Sequence, residues 1–245
     1  MRKFGLIGYP LGHSFSKKYF EAKFEKEDIQ NCRFDLHQIA EISAFEKIVN
    51  ENPELEGLSV TIPHKQAVIP FLDRLDPACE KIGAVNCIHI KNGLKIGYNT
   101  DYIGFKQSLH QWLGNQIPSA LVLGTGGASR AVKQALTDLE VDFLSVSRNP
   151  GSGLITYEDL AKDPSLMENH PLIINTTPLG TFPKTNVMAE IPVSQLHSGH
   201  FIYDLVYNPA ITRLMKACLD QGGKVKNGQD MLELQAEAAW KIWNS

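Results

Sequence analysis

The chain has 245 residues, a formal net charge of −3 and no long run of one sign, which excludes the concentrated basic surface that nucleic acid or an anionic membrane demands. Its 43% hydrophobic and 21% charged residues suit a globular protein long enough to bury one large core or two smaller ones. Cys32, Cys79, Cys87 and Cys218 form no C-x-x-C pair and no zinc-like spacing with histidine, so no metal site and no disulfide framework is expected. The first ten residues break their apolar run at once, and no signal peptide or membrane-spanning run is visible. A cytoplasmic location is expected.

In chain order, residues 4–8 read as a short buried strand stopped by Tyr9-Pro10. A charged helix carrying Tyr19, Phe20 and Phe24 follows Ser14-Phe15-Ser16. A strand is predicted over 33–37, a helix over 41–50 and a strand over 57–62. A further helical stretch precedes Gly83. Residues 85–90 and 94–98 flank Lys91-Asn92-Gly93, a hairpin signal. Residues 101–113 read as a helix, and 114–118 as the linker. Strands at 120–123, 142–147, 172–175 and 201–206 then alternate with helices, one of them over 209–221, which predicts a parallel sheet. A last helix over 230–243 comes after that unit has closed and is free to return to the first. The expected fold is therefore α/β, with two domains and a cleft between them. Residues 1–101 with 229–245 would form one domain and 102–228 the other.

The segment 120–139 carries the most pointed local signal. An apolar run ends in Gly124, Gly126 and Gly127, and Ala128, Ala131, Val132, Ala135, Leu136 and Leu139 then fall on one helical stripe. Glycines between a strand and a helix leave free backbone N–H groups at the helix start, where the dipole favours a pyrophosphate. Alone, the string also suits an ordinary glycine-rich turn, and Ser129 stands where a third glycine would. An NAD site would carry an acid at the end of the next strand. Here that strand ends Ser147-Arg148-Asn149, without a carboxylate, and a guanidinium there can stack on adenine or pair with a 2′-phosphate, although Arg148 also suits a solvated loop residue. NADP is expected in preference to NAD. Asn175-Thr176-Thr177-Pro178-Leu179-Gly180 falls at the carboxyl end of a predicted strand, the edge where open α/β sheets bind ligands, and by itself it equally suits a plain proline–glycine turn.

In the first half, His13-Ser14-Phe15-Ser16 and Asn99-Thr100-Asp101 each suit a helix cap, and Thr61-Ile62-Pro63-His64-Lys65 a strand exit. Together with Gly83-Ala84-Val85-Asn86, Gly124 to Ala131, Asn175 to Gly180, Tyr207-Asn208-Pro209 with Thr212, and Gly228 through Met231-Leu232 to Gln235-Ala236, they form an ordered set. In content and order this set resembles the shikimate dehydrogenase family, from near residue 9 to near residue 240.

That resemblance implies a substrate-binding domain completed by the C-terminal helix, a Rossmann-like NADP domain, and interconversion of 3-dehydroshikimate and shikimate. By similarity, Lys65 and Asp101 would be the catalytic pair. Hydride delivered to a ketone leaves an alkoxide that needs a proton or a compensating charge, and a lysine, ordinarily cationic at neutral pH, supplies either. The resemblance also implies that Ser14 and Ser16 hold the substrate carboxylate, and that Thr61, Asn86, Tyr207 and Gln235 bond its hydroxyls. Gly124, Gly126, Gly127, Ala128, Ser147, Arg148, Asn149, Thr176 and Gly228 would meet the cofactor. The chain departs from the family pattern at Lys17, Ser59, Cys87, Ser147, Asn149 and Thr181-Phe182, and none of these is a proposed catalytic group. Two alternatives stay open: a quinate/shikimate dehydrogenase using NAD as well, and a non-catalytic dinucleotide-sensing relative. A monomer and a homodimer would look alike in sequence.

Overall fold

In the computed structural model, residues 1–12 and 14–245 are described, and His13 lies outside them. The chain divides into two compact units, Met1–Gly104 with Glu233–Ser245, and Phe105–Leu232.

The first unit runs β1 (Arg2–Gly8), α1 (Phe15–Lys26), β2 (Cys32–Gln38), α2 (Phe45–Glu51), β3 (Leu55–Val60), α3 (His64–Ala67), β4 (Arg74–Leu75), α4 (Pro77–Ile82), β5 (Cys87–Lys91) and β6 (Leu94–Tyr98), and reaches into α5 (Thr100–Leu113). Its sheet has the order β2-β1-β3-β5-β6-β4. The pairs β1/β2 and β1/β3 are parallel, whereas β5 is antiparallel to both neighbours. Successive side chains of a strand point to opposite faces. Accordingly Phe4 and Leu6 join a cluster with Phe20, Phe24 and Trp243, while Ile7 joins Phe45, Leu58 and Ile88.

The second unit continues with β7 (Ala120–Leu123), α6 (Gly127–Asp138), β8 (Phe143–Ser147), β9 (Leu154–Thr156), α7 (Tyr157–Lys162), α8 (Ser165–Asn169), β10 (Leu172–Asn175), β11 (Phe201–Asp204), α9 (Arg213–Asp220), β12 (Lys224–Asn227) and the start of α10 (Gln229–Trp243). Its strands lie in the order β12-β11-β10-β7-β8-β9, all parallel. Numbered within the unit this is 3-2-1-4-5-6 read from β9, the dinucleotide-binding order, and the order reverses between β7 and β10. On α6, Ala131, Val132, Ala135 and Leu136 are buried, as their spacing predicts. Tyr203 on β11 packs its ring on Phe105 of α5, 5.2 Å between centroids, and donates to Ser108 Oγ at 2.8 Å.

The structure corrects several element boundaries. The helix predicted over 41–50 opens as a 3-10 turn, Ile42–Ala44. The helical stretch before Gly83 is cut by Pro70 and Pro77 into α3, a 3-10 turn, β4 and α4. The helix predicted from 209 starts only at Arg213: Thr212 Oγ accepts the Met215 N–H, and the Ala210 carbonyl accepts Asn227 Nδ2 instead of a helical N–H. No helix among the described residues is long and apolar enough to cross a membrane.

Two buried histidines tie stability to pH. Burial lowers the pKa of His89 in the first unit and of His200 in the second below the ordinary 6.5. An unfolded ring takes up a proton at its ordinary value while the folded ring still resists. Stability is therefore full above the unfolded pKa and is lost as pH falls through the lowered folded values. The urea midpoint is expected to drop between about pH 7 and about pH 5, and a midpoint flat across that window would contradict this linkage.

Candidate active site

β3 ends at Val60, and the chain leaves its carboxyl end through Thr61, whose N–H donates to Ile7 O at 3.0 Å. His64 follows, buried, with its Nε2 donating to the Ile39 carbonyl at 2.8 Å. These bonds fix the short α3, and its second residue, Lys65, sends Nζ to Asp101 Oδ2 at 2.6 Å. Both partners are mostly shielded, at 22% and 16% side-chain exposure, so this ion pair is less screened than a surface one.

Asp101 sits in the first turn of α5, and that helix start is pinned by two asparagines. Asn99 Oδ1 accepts the Tyr102 N–H at 3.0 Å, an N-cap, while its Nδ2 donates to Ala84 O at 2.8 Å. Asn86 Oδ1 accepts both the N–H and the hydroxyl of Thr100, at 2.6 and 3.1 Å. The same short loop donates from Val85 N to Lys65 O at 2.7 Å. One segment, residues 84–86, thus positions both members of the charge pair. The Thr100 hydroxyl also lies 3.3 Å from Gln235 Oε1 on α10, so Lys65, Asn86, Thr100, Asp101 and Gln235 form one polar cluster in the first unit. Ser14 caps α1, its Oγ accepting Lys17 N–H at 3.2 Å, and Ser16 lies in the first turn beside that positive helix end. Tyr207 belongs to the second unit, exposed on the turn after β11.

The second unit holds a cavity of about 610 Å³ at the carboxyl ends of β7, β8 and β10. Of the residues predicted for a cofactor, Gly124, Gly126, Ser147, Arg148, Asn149 and Thr176 line it. Gly127 and Ala128 occupy the first turn of α6, where no side chain caps the helix and its N–H groups remain for a ligand. Gly124 has φ +106°, a region closed to L side chains, and a β-carbon there would come within 2.9 Å of Thr176 Oγ. The cradle is therefore closed to any other residue. The Thr176 hydroxyl is turned inward, donating to Leu123 O at 2.6 Å.

Gly228 is not among the residues that line the cavity. A β-carbon on it would sit 2.1 Å from Leu205 O, so the glycine is required by close packing on the exit of β11. Sequence reasoning missed Tyr157 and residues 187–190, which wall the cavity. They come from an irregular stretch and a helix start, without periodicity or motif. Burial raises the pKa of Tyr157, the Arg148 charge opposes that, and the Glu190 charge adds to it.

Comparison with known proteins decides what this combination is. Residues 6–88 match the family model for the shikimate dehydrogenase substrate binding domain. A shikimate dehydrogenase (NADP(+)) of Methanosphaera stadtmanae is 33% identical over 256 residues, spanning 98% of this chain and 90% of the relative. The chain belongs to the shikimate dehydrogenase family. A further family member from Methanococcus maripaludis, also named shikimate dehydrogenase (NADP(+)), is 36% identical over 254 residues, spanning 98% of this chain and 90% of its own. Among solved structures, a chorismate mutase/shikimate 5-dehydrogenase fusion protein from Clostridium acetobutylicum superposes with a TM-score of 0.89 at 34% identity, covering 100% of this chain and 91% of that one. Shikimate 5-dehydrogenase from Thermus thermophilus, solved in complex with NADP(H) and shikimate, gives 0.85 at 27% identity, with 99% and 93% covered. The stretch matched to the substrate-binding model contains Ser14, Ser16, Thr61, Lys65 and Asn86. Asp101, the dinucleotide cavity and Gln235 follow it within the span shared with the full-length relatives.

Proposed function

We propose that this protein is an NADP-dependent oxidoreductase acting on a CH–OH group, a shikimate dehydrogenase that reversibly reduces 3-dehydroshikimate to shikimate on the route to chorismate. The observation that carries the proposal is the shielded Lys65–Asp101 pair, 2.6 Å apart, in the unit matched to a shikimate-binding domain. The relatives named for NADP(+), and the Thermus thermophilus complex with NADP(H) and shikimate, support both the cofactor and the substrate.

The donor set of the second unit fits the dinucleotide. Uncapped N–H groups at α6 and the cradle at Gly124 suit a pyrophosphate, and Arg148, at a strand end that carries no carboxylate, suits a 2′-phosphate. Ser147, Asn149 and Thr176 complete that wall. When bound, NADPH supplies the hydride that makes the substrate carbonyl carbon a CH–OH centre. Lys65 Nζ then donates to the oxygen, stabilising its developing negative charge and completing the proton transfer. Asp101 holds the ammonium in place, and in the oxidation direction the pair takes up the hydroxyl proton.

Ser14 and Ser16 bind the ring carboxylate at the positive end of α1. Thr61, Asn86, Gln235 and Tyr207 bond ring hydroxyls. With its oxygen committed to Thr100, Asn86 meets the substrate through Nδ2, and so reads an acceptor. A site of committed donors and acceptors discriminates against a ring lacking the matching hydroxyl, because its buried partners go unpaired.

The test is turnover followed by nicotinamide absorbance over four pairings, shikimate or quinate with NADP or NAD. Shikimate with NADP is expected to give the largest kcat/KM. Quinate with NAD as the best pair would move the assignment to a quinate dehydrogenase, and NADP binding without turnover of either substrate would leave a sensing protein.

A further inference from the structure

Asp204, the last residue of β11, is a fully buried carboxylate for which hydride transfer has no use. Oδ1 accepts Asn175 Nδ2 at 2.8 Å and the Val206 N–H at 3.1 Å, and Oδ2 accepts the Thr212 hydroxyl at 2.6 Å. Among the described residues no cation pairs with it. Burial raises its pKa, so holding the charge in this place costs stability, and a neutral side chain of similar shape would fold as well or better. What the carboxylate does for its neighbours is specific. Two acceptor oxygens receive donors from three segments: the end of β10, the turn after β11 that leads to Tyr207, and the cap of α9.

The orientation of Asn175 follows from this. Its amide nitrogen is directed to Asp204, so its oxygen faces the other way and accepts the N–H and hydroxyl of Thr177, at 3.0 and 2.7 Å. Thr177 in turn lines the dinucleotide cavity and crowds Gly124, where a β-carbon would meet its Cγ2 at 3.0 Å. A continuous path runs from the buried acid through Asn175 and Thr177 to the glycine cradle. Reversing Asn175 would set its NH2 group against the Thr177 N–H, donor against donor.

We propose that Asp204 is a positioning residue of the dinucleotide site, setting the loop after β10 against the Gly124 turn. The inference rests on the dinucleotide reading of the second unit given above. It predicts a local loss, confined to ligands that reach this loop. Adenosine 2′,5′-bisphosphate, which on that reading binds at Ser147-Arg148-Asn149, provides the internal control.

The experiment measures dissociation constants of NADPH and of adenosine 2′,5′-bisphosphate by titration calorimetry for the parent, Asp204→Ala and Asp204→Asn. In Asp204→Ala the NADPH constant is expected to rise by about tenfold, with the bisphosphate constant within about twofold of the parent. Asp204→Asn keeps one oxygen for Asn175, so it is expected to recover most of the NADPH affinity. If circular dichroism shows Asp204→Ala unfolded, Asp204→Ser takes its place, since its hydroxyl cannot serve three donors. Parent-like NADPH affinity in the Ala or Ser variant overturns the proposal, as does an equal weakening of both ligands, which marks a general structural role. A parent protein that binds neither ligand overturns the dinucleotide reading itself, and the positioning role with it.

Discussion

Replacing Lys65 with alanine is expected to lower kcat for 3-dehydroshikimate reduction by roughly 10²–10⁴-fold, the range typical of a positioned proton donor, while the NADPH dissociation constant stays near that of the parent. The split follows from where the lysine lies. Lys65 belongs to the first unit and is bonded to Asp101, whereas the residues lining the dinucleotide cavity all belong to the second. An interaction made with the developing alkoxide is absent in the ground state, so its loss appears in kcat. Asp101→Asn should lose a comparable amount, because the amide no longer holds an ammonium by charge. The double variant should be little worse than either single one, as expected of residues that act as a unit. Steady-state rates of the three variants, with NADPH titrations on the same preparations, check this. A Lys65→Ala enzyme with parent-like kcat would remove the lysine from the reaction.

Trp243→Ala is expected to destabilise the first unit by about 3–5 kcal/mol, the usual cost of deleting a buried indole and a large share of a domain's total stability. Trp243 is 2% exposed near the end of α10, stacks on Phe4 at 5.0 Å and lies 5.2 Å from the Phe20 ring. Its Nε1 donates to Ile88 O at 3.0 Å, joining the helix to β5, and its ring covers Gly57, where a β-carbon would come within 2.4 Å. The indole is therefore the main anchor of α10, and that helix carries Gln235 to the polar cluster. The loss should appear twice, as a lower denaturation midpoint and as a raised KM for shikimate. Trp243→Phe keeps most of the ring packing and gives up one hydrogen bond, for a cost nearer 1 kcal/mol. A Trp243→Ala protein as stable as the parent would contradict the anchoring role.

How much of this is legible in the sequence depends on the range over which the signal acts. The strand–glycine–helix passage from Ala120 to Leu139 is a local pattern, and the structure forms it with the middle of the predicted stripe buried, while Ala128 and Leu139 at its two ends are only half-buried. β9 and β12 escape notice because they are three and four residues long at the edges of their sheet, and β12 reads Lys-Val-Lys-Asn, polar enough for a loop. The Lys65–Asp101 contact joins residues 36 apart in sequence, and no periodicity connects them. Family resemblance singled them out, and folding brings them together through the Ala84–Asn86 loop. Asp204 carried no signal at all. An acid at the end of a strand looks solvated until the sheet order shows that it is interior.

The most direct test of the whole account follows the hydride. Shikimate bearing deuterium on the carbon that becomes the 3-ketone is incubated with NADP and the parent enzyme, and the reduced cofactor is examined by mass spectrometry. The account predicts that the deuterium is found in the nicotinamide, with 3-dehydroshikimate formed in equal amount. Unlabelled cofactor, or no reduction although both ligands bind, would contradict it.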